Sequence, residues 1–404
     1  MLENANPWAF ADRRIDLRIV IAPDSYKGSL SALGVAQAME RGILHICPDA
    51  DVRKIPMADG GEGTVDALLA ATGGKYRQSE VSDPLGQRIT APWGILGDGQ
   101  TAVIEMATAS GLTLLAAEQR NPRITTTYGT GELIRAALDA GLRRIILGIG
   151  GSATNDGGAG MARALGAHFL DADGRELTDG GAALAGLNRI DLSGLDPRLC
   201  ETEIVVACDV DNPLCGARGA SAVFGPQKGA TPAMVAELDS ALAHFAAIAQ
   251  SATGKTIAEQ AGAGAAGGLG AGLLLFTPAK LKPGVDIVLD AVGFSEIVKD
   301  ADFVITGEGC TDFQTAYGKA PVGVARCAKQ FGIPVFCLSG SLGKGACDVL
   351  ALGIDAVLSI CERPMTLAES MSAASSLIET ASERLCRIIK ASRQKCGQNA
   401  GRPS

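Results

Sequence analysis

The chain has 404 residues, 47% hydrophobic, 20% charged and only 4% aromatic, with 52 Gly. This composition builds a core from small and branched aliphatic side chains and excludes disorder as the main state; the length exceeds what one core usually supports, so two domains with a cleft are expected. The balance of 36 basic to 44 acidic residues, a net charge of −8 without any polybasic run, argues against binding nucleic acid or an anionic membrane and favours small-molecule work.

Residues 1–14 carry Glu3, Asp12, Arg13 and Arg14 and no apolar run, so they do not read as a secretory signal, and a cytoplasmic protein is expected. Apolar, β-branched runs at 17–22 and 52–57, and again at 303–306 and 335–338, each lead into a Gly- and Asp-rich segment and then a helix-like pattern. That βα repetition predicts a parallel sheet delivering the C-terminal ends of its strands to polar loops, where open α/β sheets bind ligands. Between these runs, 76–81, 87–95 and 101–106 read as a strand meander with turns at Asp83-Pro84 and Gly97-Asp98-Gly99. A helix-like stretch at 130–140 precedes a buried strand at 144–149, and a further strand is expected at 204–208. These textures predict an inserted α/β domain, residues 74–284, interrupting a core made of 1–73 and 285–404. A helix over 367–389 closes that core, and 390–404 are expected to fray. The stretch 261–279 is uncharged and long enough to span a bilayer, but six Gly and a Pro make it a poor helix, so a buried Gly-rich turn is predicted. Eleven Cys, an odd number without a C-x-x-C pair, read as reduced core thiols such as Cys208 and Cys337 rather than as a zinc ribbon or a disulfide scaffold.

Some motifs mislead. Gly254-Lys255-Thr256 ends like a phosphate-binding P-loop, but Ala249 stands where the motif needs Gly and no strand precedes it. Gly148-Ile149-Gly150-Gly151-Ser152-Ala153 fits a dinucleotide fingerprint, yet the acids near the required spacing, Asp171 and Asp173, fall in what reads as a turn. The three His, His45, His168 and His244, lie outside the polar Gly-rich loops, so proton chemistry falls to carboxylates or Lys.

Chemistry concentrates in the loops. Ala22-Pro23-Asp24-Ser25-Tyr26-Lys27-Gly28-Ser29-Leu30-Ser31 puts a carboxylate, a cation and hydroxyls where a helix begins, with Lys27 suited to an anion and Ser29 or Ser31 to capping or ligand contact. Met57-Ala58-Asp59-Gly60-Gly61-Glu62-Gly63-Thr64 offers two acids flanked by Gly, and Gly307-Glu308-Gly309-Cys310-Thr311-Asp312-Phe313-Gln314-Thr315, followed by Gly318-Lys319, repeats that logic. The loop from Gly148 to Gly158, with Thr154, Asn155 and Asp156, joins a strand to a helix as an anion cradle does. Cys208-Asp209-Val210-Asp211-Asn212-Pro213 and Asp286 add further acids, and acids beside an anion cradle suggest Mg2+ shared with phosphates. These are the parts of phosphoryl transfer.

Taken together, segments 22–31, 57–64, 150–158, 209–216, Phe224-Gly225-Pro226-Gln227-Lys228-Gly229, Pro283-Gly284-Val285-Asp286 and 307–319 resemble the bacterial glycerate kinase family of the D-glycerate 2-kinase kind, over about residues 17 to 385. The resemblance implies an α/β protein, a flavodoxin-like parallel-sheet domain interrupted by a second, restriction-endonuclease-like α/β domain. It also implies ATP and Mg2+ as cofactors and phosphorylation of glycerate, commonly at the 2-hydroxyl. Two positions depart from the family's pattern: Cys310 stands where its members usually carry Arg, and Tyr26 replaces Phe. Losing that Arg removes a carboxylate or phosphate clamp unless another cation compensates.

On this basis Gly150, Gly151, Ser152 and Asn155 are assigned to the ATP phosphates, and Lys27 to charge neutralisation on substrate or transferring phosphate. Asp312 is the base, with Gln314 orienting the substrate. Asp24, Ser29, Asp59, Glu62 and Lys319 are assigned to the substrate, and Glu308, Asp209 and Asp156 to Mg2+ or its water shell. A kinase of another small hydroxy acid and a non-catalytic metabolite sensor are the rival readings. The sequence leaves room for a homo-oligomer without setting the copy number.

Overall fold

The structure, a computed structural model, describes residues 17–399; the segment read above as lacking a secretory signal lies outside them. The strands are β1 (Arg18–Pro23), β2 (Asp51–Lys54), β3 (Lys75–Ser82), β4 (Arg88–Ile95), β5 (Thr101–Glu105), β6 (Arg144–Gly148), β7 (His168–Leu170), β8 (Arg189–Asp191), β9 (Glu203–Ala207), β10 (Lys280–Lys282), β11 (Phe303–Thr311), β12 (Val335–Leu342) and β13 (Ala356–Ser359). They are shared between two compact units. The first holds the described residues up to Ile55, Ser295–Phe313 and those from Ala325 onward; the second holds Pro56–Phe294 and Gln314–Val324.

In the first unit, β13-β12-β11-β1-β2 form one sheet whose neighbours all run parallel. Counted within the unit the order is 2-1-3-4-5, a doubly wound arrangement with its switch point between β1 and β11. Ile19, Val20, Ile21 and Ala22 are buried, as a central parallel strand covered on both faces requires. The helix Ala32–Ile46 starts at Ser31, whose hydroxyl accepts from the Gly34 N–H at 3.2 Å. Its apolar stripe, Val35, Ala36, Met39 and Ile43, shares a core with Ile19, Ile21 and Leu338. The helix Ala374–Asn399 adds Leu377, Ile378 and Leu385 to that core and lies so close that a Cβ on Gly42 would stand 2.1 Å from the Glu379 carbonyl oxygen. This helix runs to Asn399, past residue 390, where fraying was expected; 400–404 lie outside the described residues.

The second unit has a six-stranded sheet, β10-β9-β6-β5-β4-β3, in which β10, β9, β6 and β5 are parallel and β4 and β3 antiparallel, so the meander is present. β7 and β8 pair separately. One core cluster joins Ile104, Leu133, Ile145, Leu147 and Leu269; a second is built on Phe169, Phe245 and Phe276, with ring centroids 5.8 to 6.3 Å apart. The boundaries fall at Ile55 and Phe294 rather than at 73 and 284. The loop and helix after Pro56 pack with the second unit: a Cβ on Gly60 would stand 2.2 Å from that of Ala207, and the Val65 N–H donates to Glu105 at 2.8 Å.

The uncharged stretch 261–279 forms a buried helix, Ala265–Phe276, entered through left-handed backbone at Ala266, Gly267 and Gly268, so the predicted turn is there but opens a helix. Among the described residues no helix is long and apolar enough to cross a membrane. At Gly267, φ is +68° and a Cβ would stand 1.9 Å from the Thr154 carbonyl oxygen, whereas Gly254, with φ +70°, has nothing within 4 Å. Both Gly→Ala changes incur the left-handed penalty of about 1–2 kcal/mol, but only Gly267→Ala adds a backbone clash. Gly254→Ala should lower Tm by about 2–8 °C and Gly267→Ala by clearly more, as differential scanning calorimetry of the two variants would read. Equal shifts would show that the approach at Gly267 is relaxed at no cost.

Candidate functional site

In the second unit, register places Glu105, Gly148, Ala207 and Lys282 in one row at the C-terminal ends of β5, β6, β9 and β10. Beyond Gly148 the chain exposes Gly150 and Gly151 and then buries Ser152 through Met161. The turn is fixed by backbone: Leu112 N–H donates to the Gly151 carbonyl at 2.8 Å, and Ala153 N–H to that of Ser110 at 2.9 Å. A Cβ on Gly150 would stand 3.1 Å from the Gly61 Cα, so the acidic loop after Pro56 lies against it. Exposed glycines at a strand end, held from behind, are the kind of backbone turn that suits a phosphate.

Asp156 and Asn155 are not in that turn. The Asp156 carboxylate accepts from Thr127 N–H and Oγ1, both at 2.8 Å, and from the N–H groups of Gly158 and Gly160 at 3.1 and 3.2 Å. Burial raises its pKa, which these donors oppose. With its oxygens engaged inside the protein, Asp156 anchors the loop; the metal role expected for it is withdrawn. Asn155 is fully buried and its Nδ2 donates to Ser221 Oγ at 2.9 Å, so its side chain braces the loop from the interior, and its expected phosphate contact is withdrawn too. Ser152 is buried within the turn, which leaves its backbone as the group to face a ligand.

Sequence reasoning missed Thr125, Thr126 and Thr127, whose hydroxyls bind Ala153 O at 2.9 Å, Asp179 at 3.3 Å and Asp156. Three adjacent threonines before a helix were the available signal. The Gly-rich segment was missed in the same way: Gly157 N–H donates to the Gly267 carbonyl at 3.0 Å, making the presumed turn a wall of this loop.

Acids gather at the same end of the sheet. Asp209 Oδ1 accepts from Gly284 N–H at 2.9 Å, and Asp59 Oδ1 from Gly61 N–H at 3.0 Å. Partial burial pushes the Asp209 carboxyl up to about 6; the Gly284 N–H opposes this, and the neighbouring charges of Asp59 and Asp286 add to it. Glu62 is exposed nearby in sequence, and Gln314 and Lys319 also belong to this unit. Among the described residues no group of three or more His, Cys, Asp or Glu is arranged to hold a metal ion unaided.

The first unit presents its own set at the switch point between β1 and β11. Asp24 N–H donates to the Gly307 carbonyl at 2.8 Å, and Asp24 Oδ1 accepts from Ser25 N–H at 2.6 Å. Lys27 is exposed. Tyr26 is buried and its hydroxyl donates to the Leu338 carbonyl at 2.8 Å, so the oxygen added relative to Phe has a partner. Ser31 is the helix cap, while Ser29 Oγ donates to the Met371 carbonyl at 2.7 Å; Ser29 ties the loop down, and its expected substrate contact is replaced by this anchor.

β11 extends through Thr311 because β12 extends beside it, Cys310 opposite Ser341 and Thr311 opposite Leu342, so 307–311 is strand where a loop was expected. Glu308, 6% exposed, accepts from Thr311 Oγ1 at 3.0 Å, and that hydroxyl meets Ser339 Oγ at 2.7 Å. Asp312 follows the strand, half-buried, with its Cβ 2.9 Å from where a Cβ on Gly343 would stand; Cys310 is exposed beside the same glycine.

The rejected motifs have structural uses. Lys255 Nζ donates to the carbonyls of Leu274 and Leu275, capping a helix C-terminus. Asp171 turns the chain by accepting from Asp173 and Arg175 N–H groups. His45 and His168 pair with Glu383 and Glu176, and His244 binds the Leu187 carbonyl at 2.6 Å.

Residues 19–390 match the glycerate kinase family. A protein of Halalkalibacterium halodurans named glycerate kinase is 55% identical over 91% of this chain and 97% of its own. Glycerate 2-kinase of Escherichia coli K12 is 52% identical over 94% of this chain and all of its own. A crystal structure from Salmonella typhimurium LT2, provisionally assigned as glycerate kinase 2, superposes with a TM-score of 0.87 at 51% identity, covering 94% of this chain and 100% of that one.

Asp209 generates a pH prediction. Its folded pKa is raised, so its favourable contribution is complete below the unfolded value and is lost as pH rises through about 6. Without added metal or nucleotide, Asp209→Asn should melt with the wild type near pH 4 and above it at pH 8. A pH series of melting curves that run parallel would show that the carboxyl titrates normally.

Proposed function

The chain belongs to the glycerate kinase family, and from that premise we propose that it transfers the γ-phosphoryl group of ATP to the 2-hydroxyl of D-glycerate, giving 2-phosphoglycerate. The observation that carries this reading is the full-length likeness to the Escherichia coli protein named glycerate 2-kinase. The exposed glycine turn and the acids at the strand ends support it chemically, since phosphoryl transfer needs positioning, charge neutralisation and a base more than covalent help from the protein.

In this reading the backbone N–H groups of Gly150, Gly151 and Ser152 hold the ATP phosphates. Lys27 neutralises charge on the substrate carboxylate or transferring group, and Asp312 accepts the hydroxyl proton, with Gln314 orienting the acceptor. Asp24, Asp59, Glu62 and Lys319 select the substrate. Asp209 and Glu308 supply hard oxygens for Mg2+, which usually takes one or two carboxylates and draws its other ligands from phosphates and water; Asp209, pressed by Asp59 and Asp286, is the better suited. When bound, Mg2+ supplies neutralisation of phosphate charge. We also read the first unit as flavodoxin-like, supported by its strand order, and the second as restriction-endonuclease-like, on resemblance alone. A cytoplasmic setting and a homo-oligomer are part of the same reading. Exposed Cys310, in the family's usual Arg position, favours as second reading a related hydroxy acid as substrate.

Phosphorus NMR of the product from D-glycerate and Mg-ATP tests the reaction and its position together; a 3-phosphoglycerate signal would move the acceptor to the other hydroxyl. No product with glycerate, and turnover with a longer aldonate, would favour the second reading. Asp312→Asn should lower kcat by about two to four orders of magnitude while the protein stays folded. Wild-type turnover in that variant would remove Asp312 from the mechanism. Lys27→Ala should raise KM for glycerate or ATP without moving Tm; a lower Tm with intact kinetics would make Lys27 a turn residue only.

A further inference from the structure

Among the described residues Lys228 is the only buried lysine, 1% exposed. It closes the short turn Pro226–Lys228, followed by Gly229 at φ +93°, where a Cβ would stand 2.4 Å from the Arg120 carbonyl oxygen. That approach fixes the backbone of the turn that carries the lysine. Its Nζ donates to the Thr154 carbonyl at 2.7 Å. Thr154 lies between the exposed Gly150-Gly151 pair and the Asp156 anchor, so this contact acts on the stretch whose front face is the glycine turn.

The surroundings are not arranged for stability. Thr154 Oγ1 and Asn155 Oδ1 are buried without hydrogen-bond partners. Burial pushes the Lys228 ammonium down to about 7, and only the charge of Asp156 opposes that loss. The buried Lys228 charge and the two unmet polar atoms of Thr154 and Asn155 all disfavour the fold; methionine would fill the lysine's volume without the charge, leaving the Thr154 carbonyl without its donor. What methionine lacks is the donor that draws the Thr154 carbonyl inward. The Thr154 carbonyl, held inward beside Asn155 on Ser221 and the close approach of Gly267, fixes the path of the chain as it leaves the Gly150–Ser152 turn.

We propose that Lys228 is a positioning residue for the nucleotide: through the Thr154 carbonyl it sets the Gly150–Ser152 turn so that its N–H groups face the phosphates. This rests on the reading that the turn holds ATP. Lys228 touches neither substrate in this account and acts wholly through the loop.

The test compares Lys228→Met and Lys228→Arg in the full-length protein, measuring Tm and the KM for ATP and for glycerate. Loss of a charge-assisted hydrogen bond should raise the ATP KM of Lys228→Met about 10- to 100-fold, leaving the glycerate KM near wild type. Lys228→Met exchanges a buried charge for an unpaired Thr154 carbonyl, two opposing effects, and should melt near the wild type. Lys228→Arg, overpacked but still a donor, should melt lower and keep an ATP KM closer to wild type. A role in packing alone reverses the kinetic order, and an unchanged ATP KM in Lys228→Met overturns the proposal. Should that variant not fold, Lys228→Leu, which also lacks a donor, carries the same comparison. Gly151→Val separates the two readings: if it raises the ATP KM and Lys228→Met does not, only the lysine's role falls. If Gly151→Val leaves the ATP KM untouched, the turn itself is not the nucleotide site.

Discussion

Backbone approaching backbone, with no side chain between, is the constraint on which the second unit depends. Gly148 lies on the Gly60 carbonyl, Gly150 beside Gly61 and Gly267 against Thr154, each too close for a Cβ to intervene without displacement. Such approaches bring main-chain amides and carbonyls within reach of one another and of a ligand, and they hold a turn with less freedom than side-chain packing allows. The acids at 59 and 209 sit on loops beside these contacts, and Asp286 lies in the first turn of the helix Gly284–Ala291, whose Gly284 stands against the Asp59 carbonyl.

The same constraint sorts the expected site residues. Gly150 and Gly151 keep their solvent-facing amides because their neighbours are fastened: Leu112 and Ser110 on one side, the Asp156 and Thr127 knot on the other. Asn155 and Asp156 looked like ligands because polar residues follow a glycine run, but in a chain that turns back into a core, the polar groups after the turn are spent on satisfying buried backbone. Ser29 shows the same exchange in the first unit.

Much of the fold was legible. Period and β-branched content located the central strands, because Ile19-Val20-Ile21 and Ile145-Ile146-Leu147 allow few alternatives to a buried strand. The extension of β11 through Thr311 was not legible: Gly307-Glu308-Gly309 has poor strand propensity and is held extended by pairing with β12, a tertiary effect. Nor was the helix Ala265–Phe276, where four glycines among small residues depress local preference and close packing restores it. Within the candidate site, loop composition pointed to the glycine turn and the acids, while the residues that brace the loops were hidden because their contacts come from Thr127, Ser221 and Met371, which are far away in sequence.

The path of the chain through its two units bears on how it is made. β1 takes its hydrogen bonds from β2 on one side and β11 on the other, yet nearly all of the second unit is encoded between them. At ribosomal speeds of roughly 5–20 residues per second, β1 waits tens of seconds for β11 to emerge. Meanwhile Ile19-Val20-Ile21 is an unpaired apolar edge, while the six-stranded sheet between can assemble first. The sheet of the first unit is accordingly completed only after nearly all of the second unit has been synthesised.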